Sequence, residues 1–151
     1  MRNEGGLAVD TEQTPPDEKA MVELLSKAGY SERAINYYLE KLNVGIIEDA
    51  EAVESYKGLC GDSMRIYLKI AEGVVRDAKF QAIGCAGAFA SGSALTEMVK
   101  GKSLEEAQGI TGEDVVEHLG KMPGPKLHCA RLAVDALRKS IEKYRKEHEE
   151  Q

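Results

Sequence analysis

The chain is 151 residues long with a mass of 16.5 kDa, a size at which one domain buries roughly 68–70% of the surface its unfolded form exposes, so a core needs no disulfide staples. Twenty Lys and Arg oppose twenty-six Asp and Glu, for a net charge of −6. With no basic cluster interleaved with aromatics, nucleic acid and anionic membrane surfaces are excluded as expected partners.

Residues 1–14 are polar and aperiodic, without the apolar run of a signal peptide or the composition of a transit peptide, and read as a disordered leader. Thr14-Pro-Pro-Asp17 has the signature of a helix start, and Met21, Leu24 and Leu25 follow at helical spacing until Gly29. The extension helix is therefore expected over 15–29. Ser31 caps a second helix whose apolar stripe runs through Ile35, Tyr38, Leu39 and Leu42 to the stop at Asn43-Val44-Gly45.

The apolar period then falls to two. Met64, Ile66, Leu68 and Ile70 alternate with Arg65, Tyr67 and Lys69; Glu72-Gly73 makes a tight turn; Ala78, Phe80 and Ala82 then alternate with Asp77, Lys79 and Gln81. A third strand is expected near Val53 to Lys57. After Cys85 the pattern is helical: Ala88, Leu95 and Val99 share one face, Gly101 closes that helix, and Ser103-Leu-Glu-Glu106 and Thr111-Gly-Glu-Asp114 are capping boxes opening short helices. The Met122-Pro-Gly-Pro125 loop leads into a long last helix striped by Leu132, Ala136, Leu137, Ile141 and Tyr144. Strands followed by helices predict an α+β fold, a small three-stranded antiparallel sheet covered on one face by helices, with a long C-terminal helix and extra N-terminal helices. No window approaches the roughly 20 apolar residues of a membrane span, so the expected compartment is the cytoplasm.

Three cysteines cannot pair completely, and a reducing cytoplasm keeps them as thiols. Cys60 lies in Gly58-Leu-Cys-Gly-Asp62 just before a strand, Cys85 joins a strand to a helix, and Cys129 opens the last helix beside His128. A cysteine at a helix N-terminus meets unpaired backbone N–H groups that favour thiolate, the form that binds metal. Taken singly, each cysteine is more often a small buried hydrophobe, Asp62 a turn former, and His128 a solvated neighbour of a helix start. A Cys129–His128 hydrolase is disfavoured, because sequence neighbours at a helix start point apart.

The motifs Tyr30-Ser-Glu-Arg33, Asn43-Val-Gly45, Cys60-Gly-Asp62, Gly84-Cys85 with its Ala/Ser-rich helix, Thr96-Glu97 through Lys100-Gly-Lys-Ser103, and Lys126-Leu-His-Cys129 occur in that order. With them the chain resembles the U-type iron–sulfur cluster assembly scaffolds, the IscU family and the N-terminal domain of NifU, from about Tyr30 to Tyr144. The resemblance implies a scaffold domain over 30–151. In it Cys60, Cys85 and Cys129 are cluster ligands, and Asp62 and His128 complete or modulate the site. It implies a 2Fe-2S cluster built from iron and from sulfur supplied by a cysteine desulfurase, then passed to recipient apoproteins or cluster carriers. The chain would then be a scaffold and sulfur acceptor, not a turnover enzyme, and a homodimer sharing the cluster is compatible with it. Relatives served by an Hsp70-type chaperone carry Leu-Pro-Pro-Val-Lys where this chain has Met122-Pro-Gly-Pro-Lys126, which weakens the case for that partner. The alternative is a zinc-bound sulfur acceptor that stimulates the desulfurase, because Asp, His and two Cys also make a tetrahedral zinc set.

Overall fold

A computed structural model describes residues 16–58 and 61–149; the leader and Cys60 lie outside the described residues. Helix α1 (Pro16–Ala28) has Asp17 and Glu18 in its first turn and Lys27 in its last, matching the helix dipole. Its Val22 and Leu25 pack on the core, whereas Leu24 remains 64% exposed. Ser31 starts α2 (Glu32–Glu40), its hydroxyl accepting from the Ala34 amide at 3.0 Å. This helix ends sooner than its apolar stripe predicts. Lys41 turns left-handed at φ 51° and places Leu42 beyond the helix. The reason is tertiary: Phe80 donates to the Asn43 carbonyl at 3.0 Å and Gly45 donates to the Phe80 carbonyl at 2.8 Å, drawing this segment onto the sheet edge.

The sheet contains β1 (Ala52–Lys57), β2 (Ser63–Ala71) and β3 (Val74–Ile83), antiparallel in that order. Glu72 and Gly73 both have positive φ, 58° and 74°, as a two-residue hairpin turn requires. Met64, Ile66, Leu68 and Ile70 form the buried face, continued on β3 by Val75, Ala78 and Phe80. Strict alternation would turn Arg76 inward. A register shift between Lys69 and Ile70, which pairs Lys69 with Asp77 and Ile70 with Val75, instead leaves Arg76 exposed and Val75 buried. On the opposite face Tyr67 is also buried, its hydroxyl donating to Gln81 at 2.7 Å, so that face is less polar than the alternation predicts.

Helix α3 (Ala86–Val99) is buried nearly all round, not on the single face its Ala88, Leu95 and Val99 spacing suggests. Its small residues permit this: a methyl group at Gly92 would lie 2.5–2.7 Å from the Phe80 ring. Both capping boxes form as read, opening α4 (Leu104–Gln108) and α5 (Gly112–Leu119). A 3-10 turn at Gly124–Lys126 feeds α6 (Leu127–Glu149), which packs against β1, β2 and α3 with Leu132, Ala136, Leu137 and Ile141 buried. The architecture is the expected α+β layer of a three-stranded antiparallel sheet under helices, with a long C-terminal helix. Among the described residues no helix is long and apolar enough to cross a membrane.

Candidate metal centre

Two chain junctions bring chemistry to one end of the sheet. Cys85 occupies the N-cap of α3, where β3 ends, and Cys129 is the third residue of α6. Packing of α3 against α6 sets their sulfurs 3.5 Å apart. Cys85 is half-buried and Cys129 is buried. The pair shares one negative charge. Cys85 is lowered to about 5 by the hydrogen bond from Cys129, by the Ala88 and Gly87 amides and by the Lys126 ammonium, against the cost of burial. Cys129 is raised by that same hydrogen bond, by burial and by the charge on Cys85, so its S–H is the donor of the pair.

The turn after Gly58 brings the third group. Gly58 donates to the Asp62 carbonyl at 2.7 Å, and Gly61 adopts a φ of 90° that side chains disfavour. The Asp62 carboxylate then lies over Gly84, where a methyl group would meet its Oδ2 at 3.2 Å. Asp62, His128 and Cys129 each place one donor atom within 4.8 Å of the others. His128 Nε2 is 3.7 Å from Cys129 Sγ, and its ring reaches this cluster from an exposed position. Of the five predicted site residues, Asp62, Cys85, His128 and Cys129 thus converge, and Cys60 lies outside the described residues.

Two further groups attend the thiols. Lys126 donates to Cys85 Sγ at 3.6 Å. Its place three residues before Cys129, at the start of the helix, was the available signal. The Tyr30 hydroxyl is the other: a methyl group on Gly87 would lie 3.1 Å from it and 3.2 Å from Cys129 Sγ. Burial, with the nearby Cys85 and Cys129 charge, pushes this phenol up to about 12, so it stays protonated. No periodicity could have flagged Tyr30, because the hydrogen bonds of Ser31 to the Lys121 and Leu119 carbonyls place it.

Residues 29–151 match the sequence profile of the NifU-like N terminal domain. The chain belongs to that family. Over 116 residues, 76% of either chain, it is 47% identical to an iron–sulfur cluster assembly scaffold protein IscU of Archaeoglobus fulgidus. Over 125 residues, 80% of this chain and 97% of the relative, it is 42% identical to the scaffold protein IscU of Escherichia coli. Its fold resembles the NifU-like N-terminal protein of Brucella abortus, at a TM-score of 0.65 and 19% identity over 83% of this chain and 98% of that one. A candidate scaffold for the SUF system from Fervidobacterium islandicum gives a TM-score of 0.63 at 25% identity, covering 74% and 96%. Within the NifU-like family the chain's α1 lies before the matched region, which begins at Gly29.

Proposed function

We propose that this NifU-like chain is a scaffold on which iron–sulfur clusters are assembled and from which they are passed on. The observation that carries the reading is the 3.5 Å approach of the Cys85 and Cys129 sulfurs beside Asp62 and His128, in a chain whose relatives are named iron–sulfur scaffolds. Thiolates are the preferred ligands of iron–sulfur centres, and the Cys85 charge is already held in place by backbone amides and Lys126. Cys60 completes the thiolate set in this reading. The cargo is a 2Fe-2S cluster, and the compartment is the cytoplasm.

Sulfur arrives from a cysteine desulfurase as a persulfide. A scaffold thiolate attacks the terminal sulfur, a new S–S bond forms on the scaffold, and the donor cysteine leaves as thiolate; an external two-electron reductant then breaks that S–S bond, releasing the outer sulfur to the cargo as sulfide and restoring the scaffold thiolate. The Asp62 carboxylate is a harder, weaker ligand for the cargo than sulfur and keeps it exchangeable. Recipient apoproteins or carriers then take the cluster, with a cluster-bridged homodimer as one loaded state. The Met122-Pro-Gly-Pro-Lys126 segment argues against an Hsp70-type chaperone as the release factor.

Anaerobic reconstitution of the metal-free chain with ferric iron and sulfide tests this. Visible charge-transfer absorbance should appear and be lost on Cys60→Ser, Cys85→Ser or Cys129→Ser; a colourless protein overturns the reading. Asp62→Ala should lengthen the cluster's lifetime and slow its transfer, and unchanged values would remove Asp62 from the mechanism.

One observation favours a second reading, a zinc-bound sulfur acceptor: carboxylate, imidazole and thiol donors, the ligand types of tetrahedral zinc, lie within 4.8 Å of one another. A chain that takes up one tight zinc, stimulates the desulfurase and never colours with iron and sulfide would be this acceptor.

A further inference from the structure

Beside the thiols, on the outer side of Asp62 and His128, lies a groove of about 250 Å³ between the end of β1 and the first turns of α6. Its volume falls below the ~300 Å³ at which sites for drug-sized ligands begin, a size that suits a small metabolite. Tyr56 and Leu132 give it an apolar floor, which suits a carbon skeleton better than a bare ion. Arg131 and Asp135, one helical turn apart, supply opposite charges along one wall. Arg131 gives one guanidinium nitrogen to Glu113 at 3.1 Å and keeps its other donors. Asp135 is half-buried, and among the described residues no ion pair engages it. Two carboxylates in the lining repel a polyanion, and a cation alone would leave the Arg131 N–H donors that Glu113 does not take without a partner in the groove. A zwitterion satisfies both: its carboxylate meets Arg131 and its ammonium meets Asp135.

We propose that this groove binds a free amino acid bearing a thiol, with its charged end between Arg131 and Asp135 and its sulfur toward Asp62 and His128. The sulfur then lies beside the donor atoms that cluster with Cys129, where it would replace the weaker Asp62 carboxylate as a ligand to the cargo. The role of that sulfur rests on the scaffold reading; recognition of the charged end does not.

The test is an amide NMR titration of the full chain, metal-free, reduced and in the presence of chelator, with L-cysteine as probe. Saturable shifts should appear at Gly58, Leu132 and Asp135, and S-methyl-L-cysteine, with the same charges, should reproduce them. Mercaptoethanol, a thiol without those charges, should leave them unmoved. Arg131→Gln and Asp135→Asn should each weaken binding about fivefold, the loss of one partly exposed charged hydrogen bond. Absence of saturable shifts in the unaltered chain overturns the proposal without any variant. So do equal shifts with mercaptoethanol, or unchanged affinity in both variants once their spectra show the native fold. Because no metal is present, a failed cluster reconstitution counts against the scaffold reading alone, and a failed cysteine titration counts against this site alone.

Discussion

At the scale of single residues, the behaviour of the site follows from where one proton resides. The Cys85 thiol is lowered from 9.0 to about 5 through its hydrogen bond from Cys129, its helix-start amides and Lys126, so it is thiolate at neutral pH and gains its proton only as pH falls through about 5. In the metal-free chain, alkylation by iodoacetamide should therefore modify Cys85 ahead of Cys129, at a rate that is flat above neutrality and falls toward pH 5. Lys126→Gln should move that fall to higher pH. Peptide mass mapping across a pH series checks both, and equal labelling of Cys85 and Cys129 at pH 6 would contradict the shared-charge picture. Asp62, Cys85, His128 and Cys129 were singled out as site residues in the sequence by the ordered motifs that resemble the U-type scaffolds, since each of them alone reads as an ordinary core, turn or helix-start residue. Tyr30 was not, because nothing in a lone tyrosine before a capping serine says that Ser31 will fix it beside the third cysteine.

At the scale of elements, short-range rules held where local hydrogen bonds decide and failed where packing decides. Ser103 and Thr111 were readable as caps because their partners, Glu106 and Asp114, stand three residues away. Each cap should be worth about 1 kcal/mol, so Ser103→Ala or Thr111→Ala should lower the free energy of unfolding in urea by that amount. The burial of α3 on nearly every side was not legible, since a run of Ala, Gly and Ser carries little amphipathic signal and leaves only Ala88, Leu95 and Val99 to mark a buried face. Contact with Phe80 gives it a reason: Gly92→Ala forces a methyl group into a ring that is itself fully buried. Overpacking of this kind should cost ~1–3 kcal/mol by the same urea assay, well above a surface Gly→Ala change of opposite sign. The early stop of α2 has a similar origin, because the Asn43 carbonyl and the Gly45 amide are used by Phe80 on the sheet edge rather than by another helical turn.

For the whole molecule, the three-stranded sheet and its helical cover were readable from the change of apolar period, and the register shift that turns Val75 inward was hidden because alternation cannot show an inserted residue. Helix α1 stands apart: it packs chiefly on α2, and the family match begins after it. Deleting residues 1–28 should leave the amide spectrum of the remainder native while lowering stability by about 2 kcal/mol, the partial burial of Val22 and Leu25. Collapse of the spectrum would make α1 an integral part of the domain. What the fold achieves as a unit is to hold the start of α6, the end of β3 and the turn before β2 at one point, with soft and hard donors side by side. X-ray absorption at the iron edge of the anaerobically reconstituted chain addresses that convergence most directly. Iron bound mainly by sulfur, with a short iron–iron vector and loss of protein sulfur scattering on Cys85→Ser or Cys129→Ser, is the predicted result; iron surrounded only by oxygen and nitrogen, indifferent to both substitutions, would contradict it.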